Sequence, residues 1–299
     1  MTTIAAPVTV TSHRPRYEGA NIRTWIGFKH FMYIVEEAVL DWFREHTPGA
    51  RRLYHDHGLG LEIVDSSVLL PTTLEVDDEV RATVTPVAPG RFGVTLHVHR
   101  DGQAVPALKG KVTVALVAEA DAPAKEPLPE ADLLPGPVDR IVSPDAVSHK
   151  AVPAEPGALR WDWRVPYFYC HFSDRLQHSG YVRTLEEVVD RFLADRGLAV
   201  GRMLAERGWI PVVSRARVRM LADAHMEETV HTTFVVDDIL RGSMFDGRMD
   251  CYVTRGDEVV HTATARILHG YAISRGPLAG TVAELDAGVV AALRGGAAA

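Results

Sequence analysis

Two stretches of the chain carry apolar residues at helical spacing. Val35, Ala38, Val39, Trp42 and Phe43 fall on one face of a helix, and Val182, Leu185, Val188, Val189 and Phe192 do the same about 150 residues further on. Each striped segment leads through a glycine, Gly58 or Gly208, into runs that alternate apolar and polar positions. In the first half these are LEIVDSSVLL, EVRATVTPV and VTLHVHRDGQAVPALKGKVTVALV; in the second, VVSRARVRML, TVHTTFVVD and RMDCYVTRGDEVVHTATARILHGYA. The last run of each half breaks at Arg100-Asp101-Gly102 or Arg255-Gly256-Asp257, which predicts a hairpin. A strand, a long helix and about four antiparallel strands are thus written twice, and a helix laid on such a sheet buries both apolar faces at once.

The helix segments HFMYIVEEAVLDWF and HSGYVRTLEEVVDRFL share H-x-x-Y and a Glu-Glu pair. Superposing the Glu pairs gives an offset of 150 and places Gly58 on Gly208 and Asp77-Asp78 on Glu227-Glu228. Superposing H-x-x-Y gives 148, so a two-residue insertion is expected ahead of one helix. The predicted organisation is a first domain over 1–117, a Pro-rich linker over 118–156, a second domain over 157–275 and a tail with a short helix over 276–299.

Charge and composition narrow the function. A net charge of −7 over 299 residues offers no basic field for nucleic acid. The start, MTTIAAPVTVTSHRPR, lacks the pattern of a secretory signal, and no apolar run reaches the ~18 residues a spanning helix needs, so a cytoplasmic protein is expected. Two cysteines, Cys170 and Cys251, read as buried free thiols. The His55/His57 and His97/His99 pairs have no match in the second half, and no metal site is expected. Phosphate-loop, G-x-S-x-G and dinucleotide patterns are absent.

In the second half, Asp174, His178, Tyr181, Val182, Arg183 and Glu186 resemble the opening motif of the 4-hydroxybenzoyl-CoA thioesterase-like family, in which an acid precedes an H-x-x-Y-L-R-x-x-E helix start. The resemblance implies a hot-dog fold and, with two copies in tandem, an α+β double hot-dog, each half a long central helix wrapped by an antiparallel sheet. The organisational likeness covers nearly the whole chain, the motif about twenty residues. Two departures stand out: the Asp174-to-Tyr181 interval is shorter than the family's, and the first half has no equivalent Asp, with Asn21, Arg23 and Thr24 the nearest polar residues. One of the two pseudo-equivalent sites is therefore expected to be dead or repurposed. A weaker resemblance links His171-Phe172 and Ser179-Gly180 to the H-F and P-G of β-hydroxyacyl thioester dehydratases, with Glu186 one residue late for that family's acid.

These resemblances imply chemistry on an acyl thioester. Backbone N–H groups at Gly180 and Tyr181 would polarise the carbonyl, Asp174 or Glu186 would activate water or attack, and His178 would carry protons. His30 and Glu36 repeat the pattern in the first half, and His171 belongs to the dehydratase reading. Structural roles compete: Ser179 as a helix N-cap, Thr184 and Glu187 as a capping box, and the tyrosines as core. Arg215, Arg217 and Arg219 share one face of a strand, fit either for the phosphates of coenzyme A or a carrier protein, or for guarding a sheet edge. The expected function is hydrolysis of an acyl-CoA or acyl-carrier-protein thioester between the halves. It needs no cofactor beyond the coenzyme A or phosphopantetheine of the substrate. The alternatives are a dehydratase or hydratase, a polyketide-type acyltransferase or decarboxylase, and a non-catalytic thioester binder. Either a monomer of two pseudo-equivalent halves or a homodimer satisfies the pattern.

Overall fold

The structure is a computed structural model that describes residues 7–122, 126–128 and 133–295. The first half runs β1 (Thr9–His13), α1 (Phe28–His46), α2 (Gly49–His57), β2 (Leu59–Leu69), β3 (Val80–Ala88), β4 (Arg91–Arg100) and β5 (Gln103–Ala118). Two short strands follow, β6 (Pro137–Val138), which pairs with β5, and β7 (Ser148–His149), which pairs with the strand at Val259–Val260 of the second half. The second half repeats the order as β8 (Leu159–Arg164), α3 (His178–Asp195), α4 (Val200–Arg207), β9 (Trp209–Met220), β10 (Thr229–Leu240), β11 (Met244–Arg255) and β12 (Glu258–Ile273), before a C-terminal α5 (Ala287–Leu293).

All strands join one sheet, ordered β1-β3-β4-β5-β2-β9-β12-β11-β10-β8, so that β2 and β9 splice the halves at its centre. The splice is antiparallel, from Asp65 opposite Arg219 to Leu69 opposite Arg215. The predicted stripes face the core: Val35, Ala38, Val39, Trp42 and Phe43 on α1, and Val182, Leu185, Val188, Val189 and Phe192 on α3, are all buried. This is the tandem hot-dog arrangement expected from the duplication, with α1 and α3 side by side within one wrapped sheet. No helix among the described residues is long and apolar enough to cross a membrane.

The halves superpose at a single offset of 150 up to their second strands. Helix starts Phe28 and His178 correspond, as do the left-handed caps Gly58 and Gly208 and the paired bridges Ala20–Ile26 and Cys170–Leu176. The insertion expected ahead of one helix is not there. His30 is the counterpart of Gly180 and Tyr33 of Arg183, so the shared H-x-x-Y is a coincidence of sequence. The extra residues lie instead in the β10–β11 hairpin, which shifts the last turn from Asp101-Gly102 to Gly256-Asp257.

The arginine stripe lies on β9, a central strand, and the edge-guard reading is corrected. Arg217 forks onto Asp65 across the splice (Nε to Oδ1 3.0 Å, Nη2 to Oδ2 2.6 Å), and Arg219 meets Asp145 at 2.9 Å. Arg215 is exposed.

Candidate active site

The pseudo-two-fold axis generates two equivalent ends, each made by the loop and first helical turn of one half facing the helix of the other. At one end, the loop carrying Asn21 and the first turn of α1 face Glu186 on α3. At the other, the loop carrying His171 and the first turn of α3 face Glu36 on α1.

The Asn21 end opens into a cavity of about 1280 Å³. Asn21, Gly27, Phe28 and Lys29 of the first half line it together with Arg183, Glu186, Val189 and Leu193 of α3 and Ile210 to Ser214 of β9. Lys29 Nζ donates to Glu186 Oε2 at 2.7 Å, both side chains about one-third exposed. Burial alone would depress the Lys29 ammonium, but the Glu186 carboxylate outweighs it and holds the group above its ordinary value. The N–H groups of Phe28 and Lys29, the first two of α1, have no backbone acceptor among the described residues, whereas the His30 N–H turns back to Gly27 O at 3.1 Å. They carry the positive end of a 19-residue helix to the cavity. The Asn21 carboxamide lies against Gly27, where a Cβ would come within 2.7 Å of Asn21 Nδ2. Glycine at 27 is what lets that amide reach the helix start.

The His171 end is filled. Its counterpart of Val212 is Glu62, a buried acid on β2, which accepts from His171 Nε2 at 2.5 Å and from the His178 backbone N–H at 3.3 Å. The His178 ring meets Ser66 Oγ at 2.9 Å, and complete burial pushes its pKa down to about 4, so this imidazole is neutral. Burial opposes protonation of His171 as well, but there Glu62 prevails and raises it. Burial drives Glu36 up to about 7; His171 pulls it down, while Glu62 and Glu37 push it further up. Behind this group Arg175 is clamped by Glu119 (2.9 Å) and Asp223 (3.0 Å). The pocket that remains at this end is about 310 Å³ and is lined by Glu36, Gln177, Ser179, Arg14 and Arg16 among others.

The open end therefore presents backbone donors, a carboxamide and a carboxylate to one cavity, groups of the kind that acyl transfer to water uses. A sequence model of the thioesterase-like superfamily matches residues 139–293, just over half of the chain. The chain belongs to the thioesterase-like superfamily.

Solved structures of similar fold include a protein assigned as an oleoyl thioesterase from Lactobacillus plantarum (TM-score 0.60, 14% identity, 89% of this chain and 96% of that one). An acyl-ACP thioesterase from Bacteroides thetaiotaomicron follows (TM-score 0.55, 9% identity, 88% and 97%). The 12:0-ACP thioesterase from Umbellularia californica is similar too (TM-score 0.56, 9% identity, 88% and 94%). At these identities the likeness is one of fold. No curated protein matches the sequence.

This member of the thioesterase-like superfamily distributes its expected site residues unevenly. Glu186 lines the open cavity; Glu36, His171 and His178 gather at the filled end. Asp174 does not join either: its side chain is 60% exposed and meets His225 at 3.1 Å on the surface. Gly180 is a packing glycine, since a Cβ there would strike Leu176 Cδ1 at 2.6 Å, and its N–H is already bonded to Gln177 O. Tyr181 is wholly buried in the core, where loss of hydration raises its phenol well above the ordinary range. His30 packs against Gly19 and edge-on to Tyr33, and burial lowers its pKa. Ser179 does not cap α3; the N-cap is Gln177, without a side-chain bond.

Sequence reasoning missed Lys29, Glu62 and the role of Asn21. A lone acid in the apolar run LGLEIV marks Glu62, and holding the offset at 150 throughout would have set Asn21 on His171.

Proposed function

We propose that the protein hydrolyses acyl thioesters at the Asn21 end, with the acyl group in the 1280 Å³ cavity. The observation that carries this reading is that Glu186, bonded to Lys29 Nζ, lines the same cavity as the helix start at Phe28 and Lys29, whose backbone N–H groups have no backbone acceptor among the described residues. The carbonyl oxygen takes hydrogen bonds from those N–H groups and the Asn21 amide. Glu186, held in place by the hydrogen bond from Lys29 Nζ, removes a proton from water as its oxygen attacks the carbonyl carbon. The tetrahedral intermediate collapses with breakage of the C–S bond, and the proton passes from Glu186 to the departing thiolate, leaving a free acid and a thiol. Membership of the superfamily and the acyl-ACP thioesterases of similar fold support coenzyme A or a carrier protein as the thiol. We place the activity in the cytoplasm, and the two fused halves make a monomer sufficient for it.

Glu36, held near 7 beside His171, favours a second reading, in which the filled end moves protons on a small thioester without cleaving it. One assay separates the two. With a panel of acyl-CoAs, Glu186→Gln should lower the rate of thiol release by on the order of 100-fold or more, while Glu36→Gln leaves it near wild type. Loss of water from β-hydroxyacyl-CoA without thiol release, abolished by Glu36→Gln, would establish the second reading instead.

A further inference from the structure

We propose that the acyl group held in the cavity carries a hydroxyl or keto oxygen, and that His269 reads it. This rests on the hydrolytic reading of the Asn21 end and names the substrate class of that site.

His269 stands on β12, in the wall of the cavity, and is 4% exposed. Its ring makes no hydrogen bond to any described residue, and Nδ1 is fully enclosed without a partner. The rings around it make no hydrogen bond to it: Phe245 lies 4.9 Å away tilted by 33°, and Tyr271 stands edge-on at 6.4 Å with its own hydroxyl unpartnered. Its neighbour in the ladder is Val213. Burial takes its pKa down to about 3, so at neutral pH the ring presents one N–H donor and one lone pair.

A buried polar ring without partners weakens the fold, and a ligand in the cavity can complete the hydrogen bonding of Nε2, the ring nitrogen that is not fully enclosed. The duplication shows that the scaffold does not ask for it. In the first half Ile63, the counterpart of Val213, pairs with Val114, so valine fills the position equivalent to His269. Val114 is buried in the core and is not among the residues that line the cavity. Histidine thus occurs at the copy of this position that faces the acyl chamber. A site built to hydrogen-bond an oxygen discriminates against analogues lacking it far more strongly than an apolar wall discriminates by shape.

The test is kcat/KM for thiol release from matched acyl-CoAs of equal length, plain or bearing one hydroxyl or oxo group at successive carbons. Wild type should favour one oxygenated member over its plain partner by roughly 10-fold or more, and His269→Val should bring that ratio of kcat/KM values to about one by lowering the oxygenated member's value. His269→Asn, which keeps a donor and an acceptor, should retain part of it. Thermal melts of both variants check folding, and His269→Val should melt no lower than wild type. Equal rates for plain and oxygenated chains in wild type, or a loss that His269→Val spreads evenly over the panel, would overturn the proposal. Failure of the hydrolytic reading looks different: thiol release would survive Glu186→Gln with every substrate.

Discussion

Glu36 and Glu186 are the same residue of the duplicated unit, and they have different neighbours. Lys29 pairs with Glu186 at 2.7 Å, whereas at the position of Lys29 the other end has Ser179, and burial drives Glu36 up to about 7. A carboxyl raised in the fold above its ordinary 4.5 costs nothing below that pH. As pH climbs from 4.5 toward 7 the unfolded chain gives up the proton first, so stability falls, and the loss levels off above 7. The raised His171 works in the same direction, since its contribution is complete below its unfolded value and is lost as pH rises through the folded one. Glu36→Gln should therefore be more stable than wild type at pH 8, by at most about 3 kcal/mol, and no different at pH 4. Chemical denaturation at the two pH values checks this. The residues themselves were partly legible: spacing and resemblance singled out Glu186, Glu36, His171 and His178. Their assortment into one open and one filled end was not, because it depends on Glu62 and Val212, which sit across the splice from the groups they admit or exclude.

At the scale of elements, periodicity located both long helices and the hairpins, because an amphipathic stripe and a Gly-containing turn are local signals. It passed over α2, short and rich in Arg and His, and α4, short with two arginines, each closed by a left-handed glycine cap at Gly58 or Gly208. It also misread the register before α1, where H-x-x-Y matched by chance while the backbone kept the offset of 150. That register matters, since it aligns the Asn21 loop with the His171 loop and Gly27 with Gln177. Gly27→Ala should push the Asn21 amide off the helix start, as its Cβ would lie 2.7 Å from Nδ2. The expected result is a fall in kcat of roughly 10- to 100-fold with a melting temperature close to wild type. An unchanged rate would remove Asn21 from the oxygen-binding group.

For the whole molecule, fusing two hot-dog units into one chain frees the two ends to differ. In a dimer of identical units any change at one end appears at both. Here Glu62, Ser66 and His171 fill one end, while Val212, Ala216 and Asn21 leave the other open, and only the open end reaches the large cavity. The double architecture was readable from the repeated order of elements. The asymmetry lies in substitutions between the copies, which a repeat search treats as noise.

The location of the chemistry is the central claim, and a crystal structure with a non-hydrolysable thioether analogue of an acyl-CoA tests it most directly. The analogue's carbonyl oxygen should lie within hydrogen-bond reach, about 3 Å, of the Phe28 and Lys29 N–H groups, with its chain in the cavity beside Glu186. A carbonyl seated instead at the start of α3, beside Glu36 and His171, would contradict the account.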